Sequence, residues 1–93
     1  MQVNHWVGYK LIFSKTAKKF LSHLSKSDVR AIRCKTQAIV EGVLNLDILK
    51  LEGSYEKPTY RLRVGNFRVI FEVHNKTITI YVVEIGARKN IYE

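Results

Sequence analysis

The sequence predicts an α+β domain in the order β-α-α-β-β-β, with helices segregated from most of the sheet. Three observations predict it. Ala17, Phe20, Leu21 and Leu24 recur at i, i+3, i+4 and i+7, which gives one buried helical face. After Pro58 the chain alternates with a period of two to about Gly86. Between two of those alternating runs stands Gly65-Asn66, a turn pair.

The elements follow in order. Tyr9 to Phe13 reads as a short strand, and Ser14 as the N-cap of the first helix. Lys15, Lys18, Lys19 and His23 fall on that helix's exposed side. Ser25 or Ser27 caps a second, longer helix through about Leu44, whose buried face takes in Val29, Ile32, Ile39, Val40 and Val43. Asp47 to Gly53 reads as a connector, with loop around Gly53-Ser54 and Pro58. The remaining strands turn at Gly65-Asn66 and Asn75-Lys76.

At 93 residues the chain is one domain, 1–93, without repeat, linker or low-complexity tract. With 46% hydrophobic and 26% charged residues it is an ordinary globular chain. No apolar run approaches the roughly 20 residues of a membrane span. The start MQVNHWVGYKLIF lacks the layout of a signal peptide, so a cytoplasmic location is expected. Cys34 is the single cysteine, read as a packing residue in mid-helix, and a lone thiol fits a reducing compartment. Lysine and arginine outnumber the acids 16 to 8, a formal charge of +8, which favours an anionic partner. His5, His23 and His74 show no ligand spacing with one another or with Cys34, so no metal and no cofactor is expected. Trp6 and Tyr9 read as packing groups.

The stretch YRLRVGNFRVIF carries the chemistry. A two-residue loop at Gly65-Asn66 pairs Val64 with Phe67, Arg63 with Arg68 and Arg61 with Ile70. Alternation then places Tyr60, Leu62, Val64, Phe67, Val69, Phe71 and Val73 on the core face. Arg61, Arg63, Arg68, Ile70 and Glu72 take the opposite face. The same logic through Asn75-Lys76 puts Ile78, Ile80 and Val82 in the core, and Thr79, Tyr81 and Val83 beside the arginines. Glu72 is the nearest acid. Like charges opposite one another cost stability, so the cluster asks for a reason. One is a solvated face with loose ion pairing. The other is an anion site, since planar bidentate donors suit phosphate. In the tail GARKNIYE, Arg88 and Tyr92 stand where a terminal segment can fold back over the sheet edge or fray.

Taken together, YKLIFSKTAKKFLSHL, the connector with Lys50-Leu51 and Gly53, YRLRVGNFRVIFEV and VVEIGARKNIY resemble the RelE branch of the RelE/ParE toxin superfamily of toxin-antitoxin systems. The resemblance implies antiparallel strands curved around the helices, with a basic concave face. It implies a ribosome-dependent endoribonuclease that cuts messenger RNA in the ribosomal A site without metal. The RNA's own 2′-hydroxyl attacks the adjacent phosphate, leaving a 2′,3′-cyclic phosphate and a 5′-hydroxyl. The family's basic strand residues match Arg61, Arg63 and Arg68, and its late arginine and terminal tyrosine match Arg88 and Tyr92. On that basis the five are the candidate catalytic residues, with Lys50 and Tyr81 as candidate RNA contacts.

The best-known members have lysine at the positions of Arg61 and Arg63. Arginine stabilises charge but does not give up its proton. The proton of the attacking hydroxyl therefore goes to Tyr92 or Tyr81, to a ribosomal group, or moves slowly. The implied partners are the ribosome with its message and a cognate antitoxin, the pair repressing its operon through antitoxin contacts to DNA. Two other readings stand beside this one: a ParE-like poison of DNA gyrase that acts by protein contact, and a basic nucleic-acid-binding or inactive relic domain.

Overall fold

The computed structural model describes residues 6–51 and 56–87. Its elements run β1 (Lys10–Phe13), α1 (Lys15–Leu21), α2 (Lys26–Val40), β2 (Ile48–Leu51), β3 (Thr59–Val64), β4 (Phe67–His74) and β5 (Thr79–Ala87). The expected α+β architecture holds, with two refinements. The connector contributes a strand, β2, so the order is β-α-α-β-β-β-β. The sheet is also mixed: its strand order is β1-β5-β4-β3-β2, antiparallel except that β1 lies parallel to β5. Asp47-Ile48-Leu49-Lys50-Leu51 is short and alternates weakly, which is why it reads as connector until β3 is there to pair with it.

The helices start where hydroxyl caps permit. Ser14 Oγ accepts from the Ala17 amide at 3.0 Å, and Ser25 Oγ accepts from the Asp28 amide at 3.2 Å. Ser25, not Ser27, is thus the second cap. Helix α2 ends at Val40, about a turn before the expected Leu44, because Gly42 adopts a left-handed φ of 81°. The Val43 amide then donates to the Ala38 carbonyl at 3.2 Å, a Schellman closure. Val43 consequently lies outside the helix and is exposed rather than buried. Thr36 is buried instead, its hydroxyl donating to the Arg33 carbonyl at 3.0 Å. Cys34 is exposed on α2 and is not a packing residue.

The core lies between the helices and one face of the sheet. Ala17, Leu21, Ile32 and Ile39 meet Leu62, Val64, Val69, Phe71, Val73, Ile80, Val82 and Ile85. Trp6 closes one end of it, edge-on to Tyr60 and Phe71 at centroid distances of 4.9 and 5.7 Å. Tyr9 is half-buried, and its hydroxyl donates to Asn75 Oδ1 at 2.7 Å.

The first hairpin has the expected register: Val64 opposite Phe67, Arg63 opposite Arg68, Arg61 opposite Ile70. Gly65 carries the left-handed φ of 55° at the first loop position, where glycine is the residue without a Cβ penalty. The second hairpin departs from expectation. Its loop is the four residues Asn75–Ile78, and Ile78 sits exposed at φ 51° rather than in the core. A two-residue turn of the type I′ kind needs positive φ at both central positions, which Lys76 does not favour. Thr79 keeps the parity of the arginine face yet is buried.

Farther along β5 a bulge intervenes. Phe71 pairs with Val82 and Ile70 with Glu84, so Val83 is the extra residue. Strict alternation would drive Glu84 into the core; the bulge turns it outward and buries Ile85 in its place. The carbonyl of Val83 accepts from Ser14 Oγ at 2.9 Å, so one serine caps α1 and fixes the bulge.

Candidate functional site

The outward face of the sheet gathers the basic residues at its hairpin end. Register puts Arg63 beside Arg68 on adjacent strands, and the Arg63 amide points the other way, donating to the Asp47 carbonyl at 3.0 Å. Arg63 and Arg68 are thus a non-hydrogen-bonded pair, whose Cα atoms lie about 4.5 Å apart. Both side chains are exposed. Opposed like charges at this spacing repel. Their guanidinium groups project to solvent, where one oxyanion can accept from both.

Arg61 is different. Its side chain is only 13% exposed, and Nη2 donates to Asp47 Oδ1 at 3.0 Å. Its Nε is buried without an acceptor among the described residues. Such an orphaned donor costs about 1–3 kcal/mol. Asp47 also lies 3.8 Å, through Oδ2, from Arg63 Nε, and its own side chain is 54% exposed. Asp47 therefore joins both β3 arginines, and it, rather than Glu72, is the acid that offsets them.

Glu72 is engaged elsewhere. Its Oε1 accepts from His74 Nε2 at 2.8 Å, and the His74 ring lies 5.7 Å from that of Tyr81. A carboxylate only accepts, so the Nε2 nitrogen carries the hydrogen. Tyr81 pairs across from Glu72, in the row next to that of Arg61, Ile70 and Glu84. Tyr81 is thus on the arginine face, as expected. Lys50 is not: it pairs with Tyr60 and points to the helix side of β2, whereas Leu49 is the β2 residue in the row of Arg61. Arg88 and Tyr92 lie outside the described residues; β5 ends at Ala87, which pairs with Phe67 beside the Gly65-Asn66 turn.

The sequence reading missed two things. Asp47 stands 14 residues before Arg61, and its place becomes visible only once β2 is recognised as a strand paired with β3. The Glu72-His74 contact had a local signal, since residues i and i+2 on one strand share a face. Among the described residues, no group of three or more histidine, cysteine or acidic side chains is placed to hold a metal ion. None of the described helices is long and apolar enough to cross a membrane.

Comparison with known proteins places this arrangement. A family profile described as ParE toxin of type II toxin-antitoxin system, parDE, matches residues 11–92. Toxin RelE3 of Methanocaldococcus jannaschii is 35% identical over 92 residues, covering 90% of this chain and 96% of that protein. Among solved structures, the archaeal RelE-RelB complex from Pyrococcus horikoshii OT3 aligns with a TM-score of 0.72 at 28% identity, over 87% of this chain and 96% of that one. The RelB-RelE antitoxin-toxin complex from Methanococcus jannaschii aligns with a TM-score of 0.66 at 32% identity, over 88% and 95%.

Proposed function

Because this chain belongs to the RelE/ParE superfamily of type II toxins, we propose that it is a ribosome-dependent endoribonuclease of the RelE kind, acting on messenger RNA in the A site. The observation that carries this reading is the exposed pair Arg63 and Arg68, held side by side by hairpin register with Asp47 and Arg61 next to it. A bound phosphate would offset the repulsion of this pair on an open face, which supports the reading.

In this mechanism Arg63 and Arg68 hold the scissile phosphate and stabilise the charge that grows on its oxygens at the phosphorane. Arg61, mostly buried, acts beneath them. Cleavage is a transphosphorylation: the 2′-oxygen bonds to phosphorus as the bond to the 5′-oxygen breaks. Proximity is supplied by the RNA itself, whose 2′-hydroxyl adjoins the phosphate; the protein and ribosome must hold it in line. Arg88 stabilises the leaving oxygen, and Tyr92 stacks on a base or transfers a proton. Tyr81, one row from Arg61, offers a second ring for stacking. Lys50 lies on the far side of the sheet and is not part of this site. The chemistry described draws on no metal or cofactor.

The partners follow from the same reading. The RelE relatives were solved with RelB, and the excess of basic over acidic residues here suits an acidic antitoxin that covers the arginine face. The antitoxin then carries the pair to operator DNA. A cytoplasmic location accompanies a ribosomal target.

Induced expression followed by primer extension on cellular messages tests the proposal. Cuts inside translated codons are expected with the native chain, and an Arg88→Ala, Tyr92→Ala double variant restores growth. Undiminished toxicity in the double variant contradicts the assignment. The profile's ParE description supports one second reading, a gyrase poison that binds protein and cuts no RNA. Intact messages alongside gyrase-linked DNA breaks would favour it.

A further inference from the structure

The reaction requires a proton acceptor, and the three arginines of the sheet cannot serve, since guanidinium stays protonated. We infer that Asp47 takes the proton of the attacking 2′-hydroxyl, with Arg61 holding it in place; this rests on the endoribonuclease reading above.

The geometry separates the two oxygens of the carboxylate. Oδ1 accepts from Arg61 Nη2 at 3.0 Å. Oδ2 lies 3.8 Å from Arg63 Nε, close enough for attraction and too far for a hydrogen bond. Among the described residues no hydrogen-bond donor reaches it, and the side chain is 54% exposed. The backbone fixes the residue as well, through the Arg63 amide on the Asp47 carbonyl at 3.0 Å. Asp47 thus precedes an edge strand yet is tied to β3 at three points.

Arg63 links this carboxylate to the substrate. A phosphate held by Arg63 and Arg68 would bring its adjacent 2′-hydroxyl near the Arg63 guanidinium, and Oδ2 lies 3.8 Å from Arg63 Nε. Among the described residues, the charged groups around Asp47 are Arg61 and Arg63 on β3, with Arg68 on β4 and Glu84 on β5 behind them; Lys50, on the adjoining β2, faces the other side. The near neighbours are cationic, and they orient the carboxylate through Arg61 while leaving Oδ2 without a hydrogen bond from Arg63. In the step, the hydroxyl proton passes to Oδ2 and the 2′-oxygen pair forms the new bond to phosphorus. The bond to the 5′-oxygen breaks with its pair, and that oxygen takes a proton from water. Asp47 then returns its proton to solvent.

A purely positioning role predicts something else, and Asp47→Asn distinguishes the two. Asparagine keeps an oxygen for Arg61 and loses the basicity. On programmed ribosomes, with messenger RNA as substrate, the variant is expected to lose about 10²–10⁴ in kcat, the range of general-base catalysis, at unchanged or lower KM. Its binding to ribosomes programmed with a message 2′-deoxy at the scissile nucleotide stays at least as tight as that of the native chain, which also reports an intact fold. Cleavage within about tenfold of native, or a loss confined to KM, overturns the proposal. Asp47→Ala supplies a second arm. Added formate, a diffusible carboxylate, restores cleavage if a base is missing, and absence of rescue overturns the assignment. If the native chain itself leaves messages uncut, the endoribonuclease reading falls and this proposal falls with it; if only the variants behave as native, the proposal falls alone.

Discussion

The two ends of the sheet's outward face handle charge in opposite ways. At the hairpin end, Arg61 and Arg63 share one carboxylate, Asp47, and Arg63 and Arg68 stand directly opposed and exposed. At the other end Glu72 and His74 satisfy each other at 2.8 Å, with Tyr81 beside them. The strands, their pairing and the core beneath are shared, so the backbone does not impose the imbalance. On the proposed reading, the charge left uncompensated at this end of an otherwise ordinary sheet is compensated by a ligand phosphate. The self-paired end needs none.

Changes at the two ends should therefore differ in kind. The largest effect belongs to the support they share. Phe71, fully buried between Trp6, Tyr60 and the helices, is expected to cost about 3–5 kcal/mol as Phe71→Ala, read from urea unfolding. Next comes the hairpin end. Arg63→Ala should lower cleavage by about 10²–10³, as for loss of one transition-state donor, while leaving stability unchanged or raised because a repulsive neighbour is gone. A variant that loses stability and activity together would erase the distinction between the ends. Ser14→Ala, which removes the α1 cap and the hydroxyl on the Val83 carbonyl, should cost about 1 kcal/mol by the same unfolding measurement. Smallest is the self-paired end: Glu72→Gln should shift stability by about 0–1 kcal/mol and leave cleavage on programmed ribosomes unchanged. A large loss of cleavage there would move the site toward His74.

Much of this was legible in the sequence, and the exceptions have physical causes. The register of the first hairpin follows from alternation and one glycine, so the opposed arginines could be read directly. The helix cap at Ser14 was equally plain, and the second cap was narrowed to Ser25 or Ser27. The second hairpin was not, because its loop depends on Ile78 accepting a left-handed backbone that β-branched residues disfavour. The bulge at Val83 is set by the need to keep Glu84 out of the core, a tertiary demand that no local pattern expresses. Asp47 was missed for a related reason. Its significance lies in pairing across β2 and β3, and an edge strand of four residues announces itself weakly. The acid that mattered was thus the one whose neighbours are distant in sequence, whereas Glu72, the apparent candidate, was already engaged by His74.

In the proposed reaction the arginine end binds a phosphate whose own 2′-hydroxyl attacks it. Its most direct test is cleavage on ribosomes programmed with a message carrying a single 2′-deoxy nucleotide at the scissile position. The all-ribose message is expected to be cut to a 2′,3′-cyclic phosphate and a 5′-hydroxyl, and the substituted message to bind but stay intact. Equal cutting of both messages, or products ending in a 3′-hydroxyl, would contradict it.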